Sequence, residues 1–309
     1  MIRIVKPGIN IDFVGRRRIA FVFSTVLILV SILSMILKGG LNFGIDFAGG
    51  TLIQVKFKEA TSSSEIRKGL SEIGLGESVI QQYSEREGDE YIIRFKNRPD
   101  DEGLSSKVQE TLQKRYGKGG LEIRRVEMVG PQVEKELRTK AFMAVIYAMI
   151  GILAYITWRF EFRFALGGVL ALFHDTIITI GAFSITNKEF NLPVLAAVLT
   201  VVGYSINDTI VVYDRIRENL RKMAGKKLEV VINSSINETL SRTILTACTV
   251  LFVVLALFIL GGSVIHDFAF ALIVGVIVGT YSSIFVASPI VILWEKISPS
   301  KKGKKGKRR

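Results

Sequence analysis

The sequence predicts a polytopic α-helical membrane protein with six transmembrane helices and one extracytoplasmic α+β domain inserted after the first helix. Two observations lead to this fold class: long apolar runs without charge, and Lys and Arg concentrated in alternate connecting segments. The 309 residues are 49% hydrophobic, with a mean hydropathy of +0.38, yet they carry a formal net charge of +13. This combination excludes an ordinary soluble globule and a disordered basic chain.

The first apolar run covers residues 19–37 and contains no charged side chain. At 1.5 Å per residue it is long enough to cross a hydrocarbon core of about 30 Å. It is too long for the apolar part of a signal peptide, and no small-residue cleavage site follows it, so we expect an uncleaved anchor. Five further spans are predicted at about 141–158, 164–186, 192–213, 243–260 and 268–293.

Basic residues indicate the orientation of the chain. Residues 1–18 hold five Lys or Arg and one acid, 214–242 hold seven and four, and 294–309 hold eight and one. With six spans these segments share one side, which the positive-inside rule makes cytoplasmic. The nearly neutral insert, 38–140, then lies outside the cytoplasmic (inner) membrane. We expect the basic flanks to contact anionic lipids rather than nucleic acid.

The predicted divisions are a cytoplasmic N-terminus at 1–18, the first helix at 19–37, the extracytoplasmic domain at 38–140, helices two to six at 141–293 and a basic cytoplasmic tail at 294–309.

The insert alternates between strand and helix patterns. Strands are predicted at 51–58, 79–83, 91–95 and 121–129, and helices after the capping box at Ser62 and Glu65 and at 104–116. The order β-α-β-β-α-β is typical of a ferredoxin-like sandwich. The insert has no His or Cys and no clustered acids. A binding or force-transmitting role is therefore favoured over an enzymatic one.

Asp208 is predicted to lie about 8 Å inside the fourth span. Ser205 and Asn207 are its polar neighbours, and Arg242 and Thr246 share a stripe on the next, antiparallel span. An ionisable group at this depth needs a partner or a function. An Asp facing an Arg would titrate as the Arg approaches or retreats, which couples proton entry to a helix shift. A static ion pair that holds two helices together is the alternative.

Two further sets of polar or small residues lie within the spans. Asp175 is near the middle of the third span on a small-residue face, which leaves helix packing and membership of an ion path both open. Gly275, Gly279 and Ser283 recur at every fourth position of the last span. This spacing predicts close helix packing.

Several kinds of site are not expected. One Cys and two His are too few for a Cys-based zinc site or a His-built metal centre. No glycine-rich loop with the spacing of an ATP-binding motif occurs, so we expect neither a catalytic site nor ATP hydrolysis. The source of energy would be an ion or a partner protein.

Four motifs, at 42–51, 203–219, 237–243 and 278–289, resemble the SecD/SecF family of protein-export membrane proteins, in the resistance-nodulation-division superfamily. The resemblance implies six spans that pair with a SecD-like subunit beside the SecYEG channel. The complex would use H⁺ or Na⁺, and no other cofactor, to promote export of preproteins. It also implies that Asp208 is the acid required for ion passage and that Arg242 is its basic neighbour.

Two points stay open at this stage. Gly49 and Gly50 follow the first span and are expected either to form a hinge or to make a tight turn without motion. The chain is expected to serve protein export, with a stand-alone ion-driven small-molecule efflux transporter, or a purely structural scaffold, as the alternatives.

Overall fold

The structure is a computed structural model, and it describes residues 10–84, 89–95, 103–117 and 119–297. The predicted Lys-rich end of the tail and the first nine residues lie outside this part of the chain. The chain divides into two compact units. Met1–Asn42 and Ala144–Arg309 form the helical unit, and Phe43–Met143 form the inserted domain.

The elements in chain order are α1 (Arg17–Leu37), β1 (Asn42–Phe43), α2 (Ile45–Ala48), β2 (Gly50–Phe57), α3 (Ser63–Ser71), β3 (Val79–Ser84), β4 (Glu90–Phe95), α4 (Leu104–Tyr116), β5 (Leu121–Val129), α5 (Pro131–Arg159), α6 (Phe162–Thr186), β6 (Glu189–Phe190), α7 (Leu192–Lys222), α8 (Leu228–Leu260), α9 (Gly262–Ser282), a π-helical turn (Ser283–Ala287) and α10 (Ser288–Ile297).

Within the part of the chain that the structure describes, six helices are long and apolar enough to cross a membrane: α1, α5, α6, α7, α8 and the last span, Ile265–Ile297. The prediction of a six-span membrane protein is therefore confirmed. About half of the most apolar stretch is buried in α6, α7 and the last span, whereas the share is 17% in α1 and α8 and 6% in α5. Helices α6, α7 and the last span therefore form the centre of the helical unit, and α1, α5 and α8 expose apolar surface.

The segment 214–242, expected to be a loop, is largely helical. Helix α7 continues to Lys222 and α8 begins at Leu228, so the connection is short. Glu218 forms ion pairs with Arg215 at 2.5 Å and with Lys222 at 2.6 Å, at the (i, i+3) and (i, i+4) spacings that stabilise a helix. Hydropathy detects only the apolar part of a helix that continues beyond the membrane, which explains why 214–242 was wrongly predicted to be a loop.

The last span is interrupted. The π-helical turn Ser283–Ala287 separates α9 from α10, and Pro289 lies in the first turn of α10. Proline has no N–H to donate and its ring clashes with the carbonyl four residues earlier, which breaks the regular ladder. The Ser288 hydroxyl donates to the Ser283 carbonyl at 2.9 Å instead.

The inserted domain has a four-stranded antiparallel sheet in the order β3-β4-β2-β5, and its chain order is β-α-β-β-α-β. Ile53, Val55 and Phe57 of β2 are buried on the face that packs with α3 and α4. The predicted capping box is present, because Ser62 and Glu65 each accept a hydrogen bond from the backbone N–H of the other at 3.2 Å. The short helix α2 was not predicted.

Candidate ion-coupling site

Asp208 lies inside the helical unit with 4% of its surface exposed. Its Oδ1 accepts a hydrogen bond from the Thr243 hydroxyl of α8 at 3.1 Å. Its Oδ2 is buried and has no hydrogen-bond partner among the residues that the structure describes, although the Ser283 hydroxyl lies beside the carboxyl. A buried carboxylate oxygen without a donor is expensive, so this atom is suited to hold a proton or a small cation.

Arg242 is not the residue that contacts Asp208. Its guanidinium is near enough to act on the carboxyl electrostatically, but the side chain is exposed and forms no ion pair with Asp208 in the described part of the chain. The buried face of α8 instead carries Thr239, Thr243 and Ala247. Because adjacent helix positions differ by about 100°, a stripe predicted from Arg242 is one position off the face that meets α7.

The other predicted polar neighbours separate in the structure. Thr246 is half-buried on α8, one turn beyond Arg242, and Asn207 is exposed on α7. Ser205 is fully buried, but its hydroxyl donates to Asp175 at 2.5 Å rather than to Asp208. The structure therefore contains two carboxyl sites at neighbouring faces of α7, one formed by Asp208 of α7 itself and one by Asp175 of α6.

Asp175 is completely buried near the middle of α6. Its Oδ2 accepts hydrogen bonds from Ser205 of α7 and, at 2.7 Å, from Ser282 of α9. Its Oδ1 lies 2.8 Å from Nδ1 of His174. Three helices thus meet at this carboxyl, which supports the helix-packing interpretation, and membership of an ion path stays a prediction.

The residues on the far side of His174 were not predicted from the sequence. Its Nε2 lies 3.1 Å from the hydroxyl of Ser24 in α1, and Ser24 lies 3.2 Å from the hydroxyl of Tyr281 in α9. The available signal was the presence of Ser and Tyr within otherwise apolar spans. That signal is weak, because lone hydroxyl residues are common in membrane helices.

Small residues bring α9 against α7. A Cβ added at Gly275 would lie 2.1 Å from a methyl group of Val201, and one added at Gly279 would lie 3.0 Å from the Cβ of Ser205. Ser283 is fully buried but belongs to the π-helical turn, so the regular fourth-residue stripe ends before it. Where α9 passes into this turn, two successive hydroxyls are presented, Ser282 of α9 to Asp175 and Ser283 of the turn beside Asp208.

Gly49 and Gly50 lie within the inserted domain. Gly49 ends α2 with φ +64°, and its N–H donates to the Ile45 carbonyl at 2.9 Å. Gly50 begins β2 opposite Val129. These contacts describe a tight turn, and a hinge role for the two glycines stays a prediction.

Two family models match the chain. The model described as protein export membrane protein SecD/SecF, C-terminal, matches residues 108–297, more than half of the chain. The SecD/SecF GG motif matches residues 35–61, which include Gly49 and Gly50.

Relatives named protein translocase subunit SecF resemble the chain along most of its length. The Magnetococcus marinus protein is 51% identical over 93% of this chain and 92% of its own length. The Calditerrivibrio nitroreducens protein is 48% identical over 94% and 96%. These names favour protein export over small-molecule efflux.

A crystal structure of SecDF from Thermus, titled a translocon-associated membrane protein, matches with a TM-score of 0.83 and 37% identity. The match covers 94% of this chain and 39% of the SecDF chain, so the present chain spans about two fifths of that protein. From the family models and these relatives, the chain belongs to the SecD/SecF family of protein-export membrane proteins.

Proposed function

We propose that the chain is the SecF-type subunit of a SecD–SecF complex, which uses an ion gradient to promote preprotein export across the cytoplasmic membrane. It would act without enzymatic catalysis. The relatives' names and their near-complete coverage support this role. The observation that carries the mechanism is the buried carboxyl of Asp208, with one oxygen bound by Thr243 and the other without a donor among the described residues.

The coupling step follows from the geometry of α8. With a proton or Na⁺ at Oδ2, Asp208 is neutral or compensated, and the neutral hydroxyl of Thr243 is a sufficient partner. When the ion leaves, the buried charge favours a cation close by. Because Arg242 and Thr243 are adjacent on the helix, a rotation or shift of α8 exchanges the hydroxyl for the guanidinium. Ion release would in this way move α8.

The partner would be a SecD-like subunit whose helices cover part of the exposed apolar surface. Asn207 of α7 is exposed and Thr246 of α8 is only half-buried, although both are polar residues within spans, and a partner helix would remove them from lipid. We infer further contacts with the SecYEG channel, the translocating preprotein and anionic lipids at the basic flanks.

Both termini would be cytoplasmic, and the inserted domain would lie on the outer side of the inner membrane. Its chain order and sheet order fit the ferredoxin-like class. It would contact the preprotein, and the turn at Gly49 and Gly50 would help to set its orientation during a cycle.

The test is Asp208→Asn, which keeps the shape of the side chain and removes its ability to bind and release a proton. In membrane vesicles with the partner subunits, we expect the gradient-dependent stimulation of export to be lost, with insertion and partner copurification unchanged. Asp214→Asn is the matched control. It changes the same residue type on the same helix, but at a half-exposed ion pair with Arg159, where a surface pair contributes little.

Wild-type stimulation by the Asp208→Asn vesicles would refute the coupling role. If stimulation falls only in proportion to the amount of assembled complex, the chain is a scaffold. Increased drug sensitivity of a deletion strain with unchanged export would favour efflux.

A further inference from the structure

A second buried ionisable pair lies outside the Asp208 site. We propose that Nε2 of His174 is a second proton-binding site of the helical unit, held in place by Asp175 and connected to α1 by Ser24. This inference rests on the proposed ion-coupled function and adds a site to it. It is carried by a continuous set of hydrogen bonds among α1, α6, α7 and α9.

The Asp175 end of this set is fully occupied. Oδ2 accepts from the hydroxyls of Ser205 and Ser282, at 2.5 Å and 2.7 Å, and Oδ1 lies 2.8 Å from Nδ1 of His174. Both carboxylate oxygens therefore have a hydrogen-bonding partner. With Nδ1–H donated to Asp175, the neutral imidazole has its acceptor at Nε2.

The other end can reverse its hydrogen bonds. The Tyr281 hydroxyl donates its hydrogen to the Ala20 carbonyl at 2.8 Å, so its oxygen remains an acceptor. Ser24 lies between that oxygen, at 3.2 Å, and Nε2 of His174, at 3.1 Å. The single hydrogen of the Ser24 hydroxyl can therefore point either to the imidazole or to the tyrosine.

These two directions correspond to two protonation states. Without the added proton, Ser24 donates to Nε2, and the His174–Asp175 pair carries one negative charge. When a proton from water binds Nε2, that N–H donates to Ser24, whose hydrogen turns to the Tyr281 oxygen. The pair is then neutral, and no other bond changes. Every polar group in the set keeps a partner in both states, so proton binding leaves no buried group unsatisfied.

The surroundings contain few other charges. Helices α1, α7 and α9 pack against α6, and at this level they present Ser24, Ser205, Tyr281 and Ser282, of which only Tyr281 is titratable. Among the described residues, no Lys or Arg forms an ion pair with Asp175. The nearest acid along α7 is Asp208, three residues after Ser205. No fixed cation therefore neutralises the pair, and the proton on His174 is the charge that can do so.

The position of the set suggests its use. Ser205 and Asp208 are one turn apart on α7, so the two carboxyl sites share a helix. Ser24 lies on α1, which leads along the chain into the inserted domain. A proton at Nε2 reverses the direction of the hydrogen bond between His174 of α6 and Ser24 of α1. Protonation of His174 thereby changes a contact of α1, the helix that precedes that domain.

The experiment reads the imidazole directly. The chain has only two histidines, so the full chain labelled with ¹⁵N-histidine in lipid nanodiscs yields two sets of imidazole signals, which His174→Gln and His266→Gln assign. Between about pH 9 and pH 5 we expect Nε2 of His174 to pass from unprotonated to protonated. A His174 Nε2 that keeps one state over this range overturns the proposal.

Ser24→Ala tests the reversible partner. It removes the hydrogen bond in both states, and the bond to the charged imidazolium is the stronger one. We expect the ratio of protonated to neutral His174 at a fixed pH to change by about fivefold or more. Ser34→Ala is the matched control, because Ser34 makes a hydroxyl contact from α1 to Ser184 of α6 at 2.9 Å, away from His174. Equal ratios in both variants refute the role of Ser24.

This measurement is independent of export. If His174 titrates as expected while Asp208→Asn still supports gradient-dependent export, the proposed coupling at Asp208 fails and the second site stands. If His174 does not titrate while Asp208→Asn abolishes stimulation, only the second site fails.

Discussion

Substitution of Gly275 by Ala tests whether close approach of α9 to α7 determines the stability of the helical unit. The added Cβ would lie 2.1, 2.5 and 2.8 Å from three side-chain carbons of Val201. Carbon atoms in contact are about 3.5–4.0 Å apart, so the overlap with the nearest methyl group exceeds 1 Å. The β-branched Val201 is stiff at χ1 and cannot rotate away easily. Overpacking of this kind costs about 1–3 kcal/mol.

Gly203→Ala is the matched control, since a Cβ at that position of α7 meets nothing within 4 Å. Equilibrium unfolding of the full chain in mixed micelles should show Gly275→Ala to be less stable than Gly203→Ala by at least about 1 kcal/mol. Val201→Ala introduced together with Gly275→Ala removes the clashing methyl groups and should restore part of the loss. Equal stability of the two single variants would refute the reasoning, because it would mean that α7 and α9 separate without cost.

Two predictions concern the inserted domain. Gly49→Ala places an alanine at φ +64° and a Cβ 2.6 Å from Oε2 of Glu134, so it should destabilise the domain by about 1–3 kcal/mol, measured by hydrogen exchange of the strands in the full chain. Gly130→Ala is the control and should have little effect, because an added Cβ there meets nothing within 4 Å. Equal protection of the strands in both variants would contradict the expectation. Burial, followed by the charge of Asp89, raises the pKa of Tyr91, so the folded domain favours the neutral phenol. The stability that the neutral Tyr91 phenol contributes is complete below the ordinary tyrosine pKa of about 10 and is lost as the pH rises through the folded-state pKa. Tyr91→Phe should therefore remove the decline in stability that hydrogen exchange detects at alkaline pH. An unchanged decline in the variant would assign it to another group.

Local patterns were sufficient for most of the inserted domain. Helix α4 and strand β5 have the predicted bounds, 104–116 and 121–129, because alternation and helical spacing report one buried face directly. The capping box at Ser62 and Glu65 uses contacts three residues apart, which sequence spacing specifies. Helix α2 was missed because four residues are too few for a periodic pattern.

The candidate site was predicted in part. The burial of Asp208 and Asp175 could be predicted from their positions within apolar spans, and both are buried. Their partners could not be read in the same way. Ser205 was assigned to Asp208 because it is one turn away along α7, but its hydroxyl lies on the face that meets α6. The π-helical turn that places Ser282 and Ser283 depends on Pro289 and on packing, and no helical periodicity anticipates it.

The sequence by itself determined the number of spans, the alternation of basic and neutral connections and the strand and helix order of the insert. These features depend on hydropathy, charge and neighbouring residues, which are local properties. Only the tertiary structure decided that Thr243 rather than Arg242 contacts Asp208, and that Ser24 of α1 meets His174. Because a helix turns by about 100° per residue, the residue that meets a given partner depends on how the helix is rotated about its axis. It also depends on how closely neighbouring helices approach, as Gly275 and Gly279 allow for α7 and α9. Both the rotation and the approach are results of packing across the bundle.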